Sequence, residues 1–248
     1  MKAMVLAAGL GTRLGPLTDQ RPKALVELGG RTLLEITLSR LRAFGVREVI
    51  VNAHHFADMI VACLQAHGNF GLRVEVSREE VLLDSGGGLK RAAWFFQDSS
   101  RSGEPFILHN VDVISTIDLG RMVQIHMENR ALATLAVQRR EASRYLLFDE
   151  QLQLRGRRAG QKDELTQPSG PLRALGFCGI HVISPRLFAM MPEEEIFSII
   201  ACYLRLAAQG EKILAFPADE CYWRDLGTPE SVRQAAEDCQ QGKISWSI

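Results

Sequence analysis

The strongest constraint on the fold is the alternation of strand-like and helix-like segments through the first half of the chain. Residues 2–7 form a short apolar run suited to a buried strand. Residues 32–44 place Leu34, Leu38 and Leu41 on one helical face, and Gly45 follows where a helix ends. Residues 48–53 read as a strand, 57–67 as a helix and 72–78 as an alternating strand. Residues 89–97 read as a helix, 105–108 as a strand and 118–129 as a helix. Strands separated by helices of this length pair in parallel through right-handed crossovers, so the spacing predicts a mainly parallel sheet.

The second half changes character. Residues 131–138, 145–149 and 151–155 are strands with short connections, and 172–184 is a long apolar stretch. This pattern predicts antiparallel strands added to the parallel sheet. Residues 194–209 read as a helix, and 212–218 and 222–225 as strands. Thr228-Pro229-Glu230 opens the last helix, with Thr as cap, Pro in the first turn and an acid behind it. Residues 155–171 carry four basic residues, three Gly and two Pro, and are expected to be a mobile loop over a site. The expected architecture is one α/β domain of three layers over residues 1–248, with no internal repeat.

Composition narrows the function. Lys+Arg and Asp+Glu are 29 each, so the net charge is zero, which argues against a general nucleic-acid binder. No apolar run approaches the ~20 residues of a membrane span. The N-terminus resembles a signal peptide only superficially, since Arg13 follows a short apolar stretch at once. The five cysteines are widely spaced and form no C-x-x-C, which is expected of a reduced, cytoplasmic protein.

The first strand runs into Ala8-Gly9-Leu10-Gly11-Thr12-Arg13-Leu14, and Lys23 follows in Arg21-Pro22-Lys23-Ala24-Leu25. A loop after the first strand of an open α/β sheet sits at the carboxyl edge, where such sheets bind ligands. Successive amides there can hold phosphate oxygens, and Arg13 and Lys23 add positive charge. The spacing is neither the dinucleotide fingerprint nor a Walker A loop. Taken alone, an ordinary glycine turn with two solvated cations fits as well.

The two segments together, AAGLGTRL and RPKALVELGG, closely resemble the signature of the sugar-1-phosphate nucleotidylyltransferases, G-x-G-T-R followed by P-K-x-L. The likeness extends over roughly residues 1–240 and is nearest to short N-acetylmuramate-1-phosphate uridylyltransferases and mannose-1-phosphate guanylyltransferases. It implies a Rossmann-like, GT-A-like nucleotidyltransferase fold, with a nucleotide-binding part over about residues 1–112 and a sugar-binding part over about 113–248. It also implies that Arg13 and Lys23 are the catalytic cations, and that Ala7, Ala8, Gly9, Gly11 and Thr12 hold the nucleotide.

Three later segments extend the resemblance. Leu83-Asp84-Ser85-Gly86-Gly87-Gly88 matches the family's glycine segment against the nucleobase, so Gly86 and Gly87 are the expected base contacts. His109-Asn110-Val111-Asp112 matches a strand end that carries the metal-binding Asp, with Val111 where the family has Gly. Tyr222-Trp223-Arg224-Asp225-Leu226-Gly227-Thr228 matches W-x-D-x-G-T, whose Asp completes the metal site. Asp112 and Asp225 are therefore expected close enough to share one Mg²⁺. Asn52, Asn110 and Gly176 are the expected sugar contacts, with His54 beside them in sequence but given no metal role. The Glu-Lys pair that holds the sugar phosphate in many relatives is missing. Arg144 and Arg155 are candidate substitutes, although strand arginines are usually only solvated.

The implied reaction joins a nucleoside triphosphate and a sugar-1-phosphate into a nucleoside-diphosphate sugar and pyrophosphate, with UTP the first choice and GTP the second. Alternatives are guanylyl transfer to mannose- or heptose-1-phosphate, cytidylyl transfer to phosphocholine, and a catalytically silent nucleotide-binding homologue. A stand-alone monomer or small homo-oligomer is expected, with no nucleic-acid or membrane partner. Lys23, as a loop residue, is expected to add little to stability.

Overall fold

The computed structural model describes residues 1–97, 103–166, 170–192 and 194–244. In chain order the first elements are β1 (Lys2–Leu6), β2 (Glu27–Leu28), β3 (Arg31–Thr32), α1 (Leu33–Phe44), β4 (Glu48–Ala53), α2 (Ala57–Ala66) and β5 (Arg73–Arg78). Then come α3 (Asp84–Arg91), α4 (Ala93–Phe96), β6 (Phe106–Asn110), β7 (Val113–Ser115), α5 (Leu119–Glu128), β8 (Ala133–Gln138) and β9 (Arg144–Phe148). The last are β10 (Leu154–Ala159), β11 (Lys162–Leu165), β12 (Arg173–Ile183), α6 (Ile199–Ala208), β13 (Ile213–Pro217), β14 (Trp223–Asp225) and α7 (Pro229–Gln240). The fold is mixed α/β, with a mostly parallel central sheet and antiparallel strands, as the sequence pattern predicts.

The chain forms two compact units. The first comprises Met1–Leu82, Leu108–Thr116 and Cys221–Ile248. In it β1, β4 and β5 run parallel, with Lys2 beside Glu48 and Glu48 beside Arg73. Ala3, Met4 and Val5 of β1 and Val49, Ile50 and Val51 of β4 are fully buried, which is why both read as unbroken apolar runs. Leu34, Leu38 and Leu41 bury the predicted face of α1. The Thr32 hydroxyl caps this helix by accepting from the Glu35 amide, and Gly45 ends it in the left-handed region. The short strands β7 and β14 pair antiparallel, and α7 opens on the Thr228 cap and Pro229.

The second unit comprises Leu83–Ile107 and Ile117–Glu220. Here β8 is buried along its length between β12, antiparallel, and β13, parallel. Strands β9, β10 and β11 make an antiparallel meander, and β9 also pairs with the start of β12. The rings of Phe96, Phe106 and Phe188 stack within this core.

Three expectations are corrected. The described part of the expected loop, 155–166 and 170–171, is largely the hairpin of β10 and β11; residues 167–169 lie outside the described residues. Its strands were illegible because all of β11 is exposed, so no apolar alternation marks it. The helix expected at 89–97 begins earlier, at Asp84, and takes the three glycines into its body before breaking at Ala92. The helix expected at 194–209 begins later, at Ile199, because Phe197 is held against those glycines: the amides of Gly86 and Gly87 donate to the Phe197 carbonyl at 2.9 and 3.2 Å. A methyl group at Gly86 would lie 2.4 Å from the Phe197 ring, and one at Gly87 2.0 Å from the Glu195 carbonyl oxygen. Gly86 and Gly87 are thus buried, with their amides bonded to the Phe197 carbonyl.

Candidate active site

The first unit gathers the chemistry where β1 ends. Val5 and Leu6 finish the strand, and the Ala7 amide donates to Asn52 Oδ1 at 2.7 Å. The chain then turns through Ala8 and Gly9, with Ala8 buried and Gly9 exposed. The Gly11 carbonyl accepts from Thr18 Oγ1 at 2.9 Å and from the Leu14 amide at 2.8 Å, and the buried Leu14 anchors the turn. This leaves Thr12 and Arg13 exposed above that anchor. Lys23 opens a short 3-10 turn after Pro22 and is itself buried.

The two acids arrive from the other segments of the same unit. Asp112 follows β6, and the Val111 amide donates to the Leu6 carbonyl at 3.1 Å, so Asp112 is tied to the end of β1. Strand β14 pairs Asp225 with Val113, the residue after Asp112, and the Leu226 amide donates to the Asp112 carbonyl at 2.7 Å. Lys23 Nζ donates to Asp112 Oδ2. Asp225 Oδ1 accepts from the Gly227 amide at 2.7 Å. Burial, and then the neighbouring charge of Asp112, push the Asp225 pKa up; Lys23, the Gly227 amide and Arg13 pull it down. Arg13, Lys23, Asp112 and Asp225 are therefore one charge cluster.

Gly227 completes it and was not singled out from the sequence. A methyl group there would sit 2.5 Å from Asp225 Oδ1 and 2.9 Å from Arg13 Nη2. The signal was present as the glycine of W-x-D-x-G-T, but only the fold puts Arg13 across from it. Behind the acids, buried Asp238 of α7 accepts from Tyr222 Oη at 2.8 Å, Arg224 Nη2 at 2.8 Å and Lys243 Nζ at 2.9 Å. The Lys243 and Tyr222 hydrogen bonds, opposed by burial, hold its carboxyl well below the usual carboxylate range. This network fixes the strand that carries Asp225.

The half-buried Arg40 of α1 meets the buried His109 of β6. Arg40 Nη1 donates to Ser115 Oγ at 2.7 Å and faces His109 Nε2 at 3.4 Å. His109 Nδ1 lies 2.7 Å from the Asn110 carbonyl oxygen, which can only accept, so the ring proton is on Nδ1. Burial, and then the Arg40 charge, push the His109 pKa down to about 3. The ring is neutral, and the cation beside it is Arg40.

Of the expected sugar contacts, Asn52 and Asn110 lie in the first unit. Asn110 is half-buried at the end of β6. Asn52 is buried, with its amide bonded to Ala7 and Glu79. His54 Nδ1 lies 2.8 Å from the Glu79 carbonyl oxygen. Gly176 belongs to the second unit, with the Arg140 guanidinium 2.9 Å from where a methyl group would stand. Of the two candidate phosphate grips, Arg155 Nε donates to Asp149 Oδ2 at 2.7 Å, whereas Arg144 is exposed at the start of β9.

The chain resembles known proteins over most of its length. The model of the nucleotidyl transferase family matches residues 2–155. The chain is 35% identical over 244 residues to N-acetylmuramate alpha-1-phosphate uridylyltransferase of Caulobacter vibrioides, covering 95% of each chain. It is 29% identical to mannose-1-phosphate guanylyltransferase of Mycobacterium tuberculosis, covering 97% of this chain and 65% of that one. Among solved structures, HddC from Yersinia pseudotuberculosis superposes with a TM-score of 0.76 at 20% identity, over 96% of this chain and 99% of that one. A glucose-1-phosphate thymidylyltransferase from Bacillus anthracis, so described on the basis of likeness, superposes at 0.77 with 16% identity, over 100% and 98%. These two likenesses establish the fold.

Proposed function

We propose, because this chain belongs to the nucleotidyl transferase family, that it joins a nucleoside triphosphate to a sugar-1-phosphate, releasing pyrophosphate. The observation that carries the proposal is the charge cluster of Arg13, Lys23, Asp112 and Asp225 at the end of β1. A phosphate oxygen of the sugar-1-phosphate attacks the α-phosphorus. A bond forms there, the bond to the bridging oxygen of the β-phosphate breaks, and pyrophosphate carries the electron pair away. The attacking oxygen is already ionised at neutral pH, so no general base is needed. The obstacles are anion repulsion and charge build-up, which fixed cations and positioning oppose.

Each residue then has a role in this reading. Arg13 and Lys23 neutralise the departing pyrophosphate. The amides from Ala7 to Thr12 receive the nucleotide, and Asn110, beside Asp112, meets the sugar. The donor set also fits Mg²⁺. Two hard carboxylates stand together; burial, and then the charge of Asp112, raise the Asp225 pKa, and a dication would relieve the repulsion between them. Asp112 and Asp225 would hold the ion together with substrate phosphates. When bound there, Mg²⁺ supplies charge neutralisation between the reacting phosphates. Use of a nucleoside triphosphate supports a cytoplasmic setting.

UTP is the proposed nucleotide, supported by the uridylyltransferase that matches over 95% of both chains. GTP is the second reading, favoured by the guanylyltransferase at 29% identity. The test is pyrophosphate release from a panel of UTP, GTP, CTP and dTTP against N-acetylmuramate-, mannose-, heptose- and glucose-1-phosphate and choline phosphate. Turnover with UTP and a sugar-1-phosphate is the expected result. Turnover with GTP alone replaces the base, turnover with choline phosphate alone replaces the acceptor, and silence with every pair overturns the reading.

A further inference from the structure

We infer that Asn52 and Glu79 form a buried brace that positions the first loop for the nucleotide, so that Asn52 acts on nucleotide binding and does not touch the sugar. The inference rests on the nucleotidyl transfer reading above and assigns a positioning pair within it.

Asn52 lies near the end of β4, with its Cα beside Leu6 of β1 on one side and Ser77 of β5 on the other. It is 2% exposed, and Glu79, just past β5, is 4% exposed. Asn52 Oδ1 accepts from the Ala7 amide at 2.7 Å, and Asn52 Nδ2 donates to Glu79 Oε1 at 2.6 Å. The polarity of the side-chain amide follows from its partners. A backbone amide only donates, so Oδ1 faces Ala7 and Nδ2 is left to donate to Glu79. Glu79 is held in turn: its amide donates to the Ala53 carbonyl at 2.8 Å, and its carbonyl oxygen lies 2.8 Å from His54 Nδ1.

The consequence is local and directional. Ala7 is the first residue beyond β1, so its peptide plane sets how the chain enters the turn through Ala8 and Gly9. A donor set that binds phosphate well is one whose amides are fixed before the ligand arrives. At 2% exposure, Asn52 has no surface to offer a sugar hydroxyl. Glu79 carried no signal in the sequence, because an acid just past a strand reads as a solvated turn residue.

The test exploits the polarity of the pair. Asn52→Asp sets a carboxylate against Glu79, while the double variant Asn52→Asp with Glu79→Gln rebuilds the bond with donor and acceptor exchanged. NTP affinity is measured by titration calorimetry, and the two KM values by pyrophosphate release. Thermal melts check folding. Asn52→Asp is expected to weaken NTP binding and raise the NTP KM about tenfold, the effect of losing one well-placed interaction, with the sugar-phosphate KM unchanged. The double variant is expected to recover most of the NTP affinity. Glu79→Ala, which keeps the Ala7 bond but frees the far end of Asn52, is expected to give a smaller loss of the same kind and serves if Asn52→Asp does not fold. A rise in the sugar-phosphate KM, an NTP loss that the exchange fails to rescue, or unchanged NTP affinity overturns the brace. A wild-type protein that binds no NTP overturns the functional reading and the brace with it; wild-type binding with indifferent variants overturns the brace alone.

Discussion

The corner at Asp112 and the hairpin of β10 and β11 are both crowded with opposite charges, but they differ in what surrounds the charge. At the corner the Lys23 and Asp112 side chains are 11% and 17% exposed. In the hairpin Arg157 and Glu164 are 45% and 59% exposed, and Arg158 and Asp163 are 41% and 35% exposed. Water screens the hairpin pairs, so their rearrangement costs little and they add little. At the corner two carboxylates share a partly desolvated space, so a missing or added charge is felt strongly. An arginine-rich stretch and a lone lysine after a proline thus exchange the importance their numbers suggest.

The largest way to break this contrast is to remove a charge from each side. Lys23→Ala is expected to lower kcat/KM by about 10²–10³, the magnitude of losing one preorganised electrostatic group. The fold also revises the expectation that stability is untouched. Lys23 is buried on Asp112, so its loss leaves two carboxylates facing each other, at a cost of about 1–2 kcal/mol after discounting for partial exposure. Steady-state kinetics and urea unfolding at pH 7 read both effects. Wild-type turnover in this variant would return Lys23 to a solvated cation.

Next in size is Gly227→Ala, which changes no charge. The added methyl group meets Asp225 Oδ1 and Arg13 Nη2 together, so either the carboxylate or the guanidinium must move. A misplacement of about 1 Å in a catalytic group is worth up to about 10² in rate, and that is the expected fall in kcat/KM. Full activity would mean that the corner tolerates displacement as freely as the hairpin does.

Burial also separates the pH responses. His109 has a folded pKa of about 3, while the unfolded chain takes the ordinary value of 6.5. Between those values the unfolded state binds more protons, so this residue's contribution to stability is present above pH 6.5 and is lost as the pH falls toward 3. At pH 4.5 the loss relative to pH 7 is about 2–3 kcal/mol. Urea unfolding at both pH values, in wild type and His109→Gln, isolates it: the variant is expected to lose less stability on acidification. Equal losses would show that His109 protonates in the fold without penalty.

The contrast also explains what could be read in advance. The strands β1 and β4, the apolar face of α1 and the caps Thr32, Gly45 and Thr228 are local or periodic properties, and they stand where the pattern puts them. The four charged residues were found by motif resemblance, not by periodicity, because nothing local says that Lys23 will meet Asp112. Other features depend on a partner far along the chain. Glycines cost a helix about 1 kcal/mol each relative to alanine. That preference argues against α3 until the close approach of Glu195 and Phe197 is known. Gly227, Asp238 and Glu79 are ordinary residue types whose importance lies wholly in what they touch. The hairpin was misread for the opposite reason: its polarity resembles that of a loop, although paired backbones hold it.

The smallest expected effect sharpens the comparison from the hairpin side. Arg157 Nε donates to Glu164 Oε2 at 2.7 Å, the same length as the buried Ala7–Asn52 bond. Length alone therefore predicts similar worth, and exposure predicts a large difference. A double-mutant cycle of Arg157→Ala and Glu164→Ala is expected to give a coupling below about 1 kcal/mol, because side-chain ordering and solvent screening offset most of the attraction. Raising the salt toward 1 M should shrink it further, since the Debye length there is about 3 Å. The backbone ladder between β10 and β11 stays intact in these variants, so the hairpin keeps its shape and kcat/KM stays at the wild-type level. A coupling of several kcal/mol, or a loss of turnover comparable to that of Lys23→Ala, would place the hairpin with the corner among the charges that the reaction depends on.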